Sequence, residues 1–254
     1  MPCLKKTFVA SAALTLAALA SLPLTSQGSD GSAVAPVASF PVVKTVTAAA
    51  AVAALKPATP AAIDLESTDV ETVRAQLKTD TIKWGGKPVQ TLDEASRILL
   101  AQAAAEEAGL HEVGLTYEDV YGIIEAETSW VQRTGASKDG TPNLGLAQFE
   151  PRTAKAYGIE DPSDPVQAVY GAARYMRDAA EWASGRVAGL KLSPEQHALK
   201  VREGVSIYYN LSIKGRNKWD GQNADELPVE TQRHIRNARA GAQEARQLVA
   251  QLKA

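Results

Sequence analysis

Helix-start signals constrain this chain more than any other feature. Thr91-Leu92-Asp93-Glu94 and Ser193-Pro194-Glu195-Gln196 are capping boxes, the second with proline at the first helical position. Asp164-Pro165-Val166-Gln167 repeats the device, Thr116 with Asp119 forms a weaker one, and Leu227-Pro228-Val229-Glu230 opens a last helix that can run to residue 254. Strand-like alternation is nearly absent apart from short ambiguous runs such as Thr81 to Val89. The chain is therefore expected to be mostly α over residues 65–254, with irregular loops at Gly135 to Leu144 and Ser212 to Glu226.

The first 64 residues read differently. Met1 to Lys6 carries two adjacent lysines, and Thr7 to Leu24 is a run rich in alanine and leucine, with Ala18-Leu19-Ala20 ahead of a cleavage point. This is the pattern of a secretory signal peptide over residues 1–26. The rival reading is an uncleaved anchor, since the run approaches the roughly 17 to 25 residues that span a bilayer. Cys3 precedes the apolar run, which disfavours a lipoprotein. Residues 27–64 turn to Ala, Val, Ser, Thr and Pro with almost no charge, the composition of a tether, although Val46 to Leu55 has a marginal alanine helix as its alternative. The expected location is exported, periplasmic or extracellular, with membrane contact only transiently through the signal peptide.

Composition excludes several chemistries. Lys+Arg 27 against Asp+Glu 29 gives a formal charge of −2, without the basic field of a nucleic-acid binder. One Cys and three scattered histidines, His111, His197 and His234, offer neither a disulfide nor metal-ligand spacing, so no metal or cofactor is expected.

One carboxylate sits on an unexpected face. In the helix that starts at Tyr117, at roughly 100° per residue, Glu127 lies about 40° from Ile123 and about 60° from Ile124, on the apolar stripe, whereas Glu125 is about 160° away and points to water. Burial of a carboxyl group favours its protonated form, which can deliver a proton to a leaving oxygen. The bland alternative is a glutamate that escapes to solvent at the helix end or pairs with an arginine.

Glu127-Thr128-Ser129-Trp130, Gly145-Leu146-Ala147-Gln148-Phe149, Tyr209-Asn210 and Leu227-Pro228-Val229-Glu230-Thr231 follow in that order, with Thr153-Ala154 and Gly171-Ala172-Ala173-Arg174-Tyr175 between them. Over Thr116 to Ala240 the chain resembles the catalytic domain of soluble lytic transglycosylases, the lysozyme-like enzymes that cut peptidoglycan. The resemblance implies a lysozyme-like helical domain with a substrate groove. In it Glu127 is the lone catalytic acid and then base, and Thr128 supplies a hydroxyl to the carboxylate. Gln148 contacts sugar, and Tyr209 and Asn210 lie across the groove. Ala147 departs from the family's Met, and Leu211-Ser212 from its Ala-Gly. Glu230 and Thr231 match the motif, but a helix-start role explains them equally well.

Most glycosidases use two carboxyl groups. Here the nearby candidates, Asp139 and Glu150, sit in polar turns where solvation is the simpler explanation. The family's precedent needs only one, because the substrate's acetamido group and 6-hydroxyl supply the rest, and a 1,6-anhydro product results. Trp130, Tyr157, Tyr208 and Trp219 are candidates for stacking on sugar faces. Trp130 and Tyr157 are assigned mainly to packing, and Trp219 is the groove candidate. Arg233, Arg236, Arg239 and Arg246 read as a solvated face of the last helix. The expected partner is a peptidoglycan glycan strand. Two other functions stay open: a water-using lysozyme of the same fold, and a non-catalytic wall-binding or secretion-apparatus component.

Overall fold

The computed structural model describes residues 69–137 and 139–253. The signal-peptide and tether expectations for residues 1–64 lie outside them. Among the described residues, eight α-helices dominate: α1 (Val70–Gln76), α2 (Glu94–Glu107), α3 (Tyr117–Thr128), α4 (Pro151–Ala156), α5 (Pro165–Val187), α6 (Pro194–Asn210), α7 (Ile213–Arg216) and α8 (Val229–Leu252). Two antiparallel hairpins, β1 (Thr79–Trp84) with β2 (Lys87–Leu92) and β3 (Thr134–Ala136) with β4 (Pro142–Leu144), complete the fold.

The helix-start devices perform as expected at three places. Asp119 closes a box back onto the Thr116 amide at 2.9 Å, Asp164 accepts from the amides of Val166 and Gln167, and Ser193 exchanges bonds with Gln196. The box at residue 91 shifts by two positions. Asp93 caps α2 through the Ser96 amide at 2.7 Å, while Thr91 is the next-to-last residue of β2, and its buried hydroxyl donates to the Trp130 carbonyl at 2.6 Å. The ambiguous run at residues 81–89 is a hairpin. Gly85 and Gly86 take φ +56° and +80°, the two left-handed conformations that a two-residue turn between twisted strands requires. The expected irregular loop at residues 135–144 holds the second hairpin, and residues 212–226 hold α7 and a single 3-10 turn.

Helix α3 lies between α2 and α8 in the core, and α5 and α6 pack side by side. The α3–α8 crossing depends on glycine. A Cβ on Gly122 would stand 2.2 Å from the Ala238 carbonyl oxygen, and one on Gly241 would stand 2.9 Å from the Gly122 Cα, so the two backbones touch. Along α8 the inward positions Thr231, His234, Gly241, Ala242, Ala245 and Leu248 are buried, while Arg233, Arg236, Arg239 and Arg246 are exposed. The solvated face expected from the sequence holds for Arg233 and Arg236, whereas Arg239 and Arg246 border a cavity against α3 and Arg246 pairs with Glu118 at 3.4 Å.

Candidate functional site

The last turn of α3 brings Glu127 to a junction of α3, α6, α8 and the turn after β4. Its side chain is 16% exposed, and its Oε1 lies 2.8 Å from Nε2 of His234 on α8. The arginine escape is not taken by the carboxylate: the Arg133 guanidinium donates instead to the Glu127 main-chain carbonyl. The backbone leaves the helix through two consecutive left-handed residues, Ser129 at φ 51° and Trp130 at φ 59°. Such conformations are costly for side-chain-bearing residues and persist only where neighbours enforce them. Trp130 does so here, with 1% exposure, its ring 5.1 Å from that of Tyr121, and its carbonyl held by Thr91.

The Gly145-Leu146-Ala147-Gln148 segment is a tight turn closed by the reciprocal bonds of Leu144 and Phe149. Gly145 has φ +72°, and a Cβ there would stand 1.8 Å from the Pro162 carbonyl oxygen. Gln148, at φ 51°, donates through Nε2 to the carbonyls of Arg133 and Gly145, pinning the first strand of the hairpin to the turn. Its amide nitrogen is thereby occupied, and the half-buried side chain borders the loop that follows Glu127.

Tyr209 and Asn210 come from the end of α6. The Tyr209 hydroxyl donates to the Ala147 carbonyl at 3.0 Å, and its ring stacks on Phe149 and, at 6.3 Å and 17°, on the His234 imidazole. Burial pushes the phenol's pKa well above its ordinary value, and the charge of Glu127 adds to the rise. Asn210 is exposed, and its Oδ1 accepts from the buried Thr231 hydroxyl at 2.7 Å, tying the end of α6 to the start of α8.

Three expectations need correction. Thr128 does not offer its hydroxyl to the neighbouring carboxylate. One residue further round the helix it is 1% exposed and donates to the Leu146 carbonyl at 2.9 Å and to Ile124 at 3.3 Å. Trp219 is not a groove residue. It is 0% exposed, with its ring against Gly204 of α6 and beside Trp182, and its Nε1 donates to Glu203. Its sequence setting among Gly, Arg and Lys looked open, but Arg186 reaches over and binds its carbonyl, folding the loop inward. Glu125 does not point freely to water. It is half-buried where Gly241 of α8 comes close, and burial, with the nearby Glu244, raises its pKa.

The two other carboxylates near Glu127 in sequence are engaged in turns. Glu150 accepts from the Ser137 hydroxyl at 2.7 Å, and Asp139 from the Thr141 amide at 3.0 Å, which holds its pKa low. Trp130 is core. Tyr157 donates to Asp178, and Tyr208 lies under the Arg216 guanidinium, 3.4 Å from the ring centre, so one face of Tyr208 is covered. A cavity of about 330 Å³ lies toward the other end of α3, among Asp119, Ile123, Arg202 and Arg239, and Glu127 does not line it. The residue that sequence reasoning missed is His234. Its signal was its place on the inward stripe of α8, at helical spacing from Thr231, Gly241, Ala245 and Leu248.

Comparison with known proteins bears on the same region. Residues 105–225 match the family model described as the transglycosylase SLT domain. A protein named transglycosylase, from Enterobacteria phage PRD1, is 37% identical over 59 residues, which are 23% of this chain and 21% of that protein. No solved structure matches the chain significantly. The matched segment contains Glu127, Gln148, Tyr209 and Asn210 and stops short of α8. Residues 105–225 of this mostly helical chain, just under half of it, thus resemble the transglycosylase SLT domain family.

Proposed function

We propose that the protein is a peptidoglycan lytic transglycosylase in which Glu127 serves as acid and then base. The observation that carries this reading is one partly buried carboxylate at the junction of the family segments, with Glu125, Asp139 and Glu150 each engaged elsewhere. Protonated Glu127 donates to the oxygen that links N-acetylmuramic acid to N-acetylglucosamine, and the β-1,4 bond breaks. The acetamido group stabilises the cationic carbon. The glutamate then takes the proton of the sugar's own 6-hydroxyl, which closes a 1,6-anhydro ring and returns the acid to its starting state. Gln148 and Asn210 border the path of the glycan, and Tyr209 forms the wall beside the acid. A signal peptide and tether over residues 1–64 would deliver the domain to the cell wall.

Digestion of purified peptidoglycan by the full chain, with weighing of the released fragments, tests the proposal. Fragments lighter by one water than hydrolysis products are expected, and none are expected from Glu127→Gln, which still folds. Full-mass reducing ends would instead make the protein a lysozyme. Release by Glu127→Gln at the wild-type rate would remove Glu127 from the chemistry.

A further inference from the structure

His234 is 6% exposed and lies on α8, outside the segment that matches the family. Its Nε2 meets Glu127 Oε1 at 2.8 Å, while its Nδ1 is buried with no hydrogen-bond partner among the described residues. One turn earlier on α8, Thr231 binds Asn210, and the Tyr209 ring runs nearly parallel to the imidazole, with 6.3 Å between centres and 17° between planes.

The surroundings of Nδ1 favour one position for the ring proton. A neutral imidazole with its hydrogen on Nε2 donates to Oε1 and leaves at Nδ1 only a lone pair. Every other arrangement, an imidazolium or a ring that accepts from a protonated Glu127, puts an N–H at Nδ1, where none of the described residues offers an acceptor. A buried donor without a partner is costly, and more so on a cation. The donor at Oε1 then fixes the division of labour within the carboxyl group. Oε1 is occupied in both protonation states of Glu127, and Oε2 is the oxygen left to carry the acid proton.

We propose that His234 is the positioning residue of Glu127, holding Oε1 through Nε2–H so that Oε2 releases and recovers the travelling proton. This rests on the acid and base role assigned above. The proton on Oε2 passes to the glycosidic oxygen as the bond to the anomeric carbon breaks. The proton of the 6-hydroxyl returns to Oε2 as the new carbon–oxygen bond forms. His234 changes neither charge nor tautomer in the cycle.

Two substitutions in the full chain separate donation from packing. His234→Leu keeps an apolar filler and loses the donor. His234→Gln restores an N–H donor that does not titrate. With peptidoglycan as substrate, His234→Leu should lower kcat about 10- to 100-fold with KM nearly unchanged, the signature of a misplaced reacting group. His234→Gln should recover most of that rate. In the 15N spectrum of the wild type, the His234 proton should be on Nε2. A fully active His234→Leu, a folded His234→Gln as slow as the leucine variant, or a ring proton on Nδ1 would each overturn the proposal. Should His234→Leu fail to fold, the glutamine variant and the spectrum still decide. Absence of any activity in the wild type would instead count against the enzymatic reading, and the spectrum would still test the pair.

Discussion

Glu127 and Thr128 are chain neighbours with opposite fates, because successive helical residues point about 100° apart. The first reaches the junction beside His234, and the second turns into the core and latches onto the Leu146 carbonyl. Thr128 therefore secures the turn that carries Gln148 to the end of α3. Thr128→Val leaves that buried carbonyl without its donor, a loss of about 1–3 kcal/mol of stability, measurable by denaturant unfolding. The chemistry at Glu127 should be largely retained, and an inactive but fully stable Thr128→Val would return the hydroxyl to the carboxylate. The helical arithmetic at Glu127 was sound as far as it went, yet one helix cannot show what packs against it. Glu125, pointed to water by the same arithmetic, faces α8 instead.

At the scale of elements, the crossing of α3 and α8 governs the site. Gly122→Ala would drive a Cβ into the α8 backbone at Ala238, four residues beyond His234. The expected cost is about 1–3 kcal/mol from overpacking, together with slower turnover as α8 and its imidazole move away from Glu127. Gly185 in α5 has open space around its Cβ position, so Gly185→Ala should be neutral or stabilising by up to about 1 kcal/mol. Equal effects of the two alanines would show that the crossing has slack. Glu125 adds a pH dependence at the same crossing. Its folded carboxyl is raised above its ordinary value of 4.5, chiefly by burial. The folded state therefore holds that proton more firmly than the unfolded chain, and this group's contribution to stability declines as pH rises past the ordinary glutamate range. Glu125→Gln should raise Tm near neutral pH, with the gain fading toward about pH 4, where the carboxyl is protonated in both states. A gain independent of pH would show that Glu125 is not strained by its charge. Most of the helices themselves were legible, since caps and prolines act locally. The first hairpin was only half legible, although Gly85-Gly86 is a strong turn signal, because the flanking strands are mostly exposed and show little alternation.

Over the whole molecule, the site is an assembly of distant pieces. Thr91 holds the bend after α3, Asn210 is tied to Thr231, and Glu127 meets a residue 107 positions further along the chain. Motif spacing identified the pieces contributed by α3, the turn after β4 and α6, because those follow the family's order. It was silent on His234, whose meaning arises only when α8 folds back across α3. Trp219 illustrates the reverse: a local setting that looked open is closed by Arg186 and Gly204.

The distance between Glu127 and His234 also orders events in time. Contacts inside α3, or between α5 and α6, need only modest loops to close. The glycine crossing and the Glu127–His234 bond need α8, and closing so long a loop is entropically slow. A chain caught before that step holds its carboxylate on a helix that packs on α2 but lacks the imidazole of α8. On the proposed function, a centre built this way would be silent during folding and come on only with the completed fold.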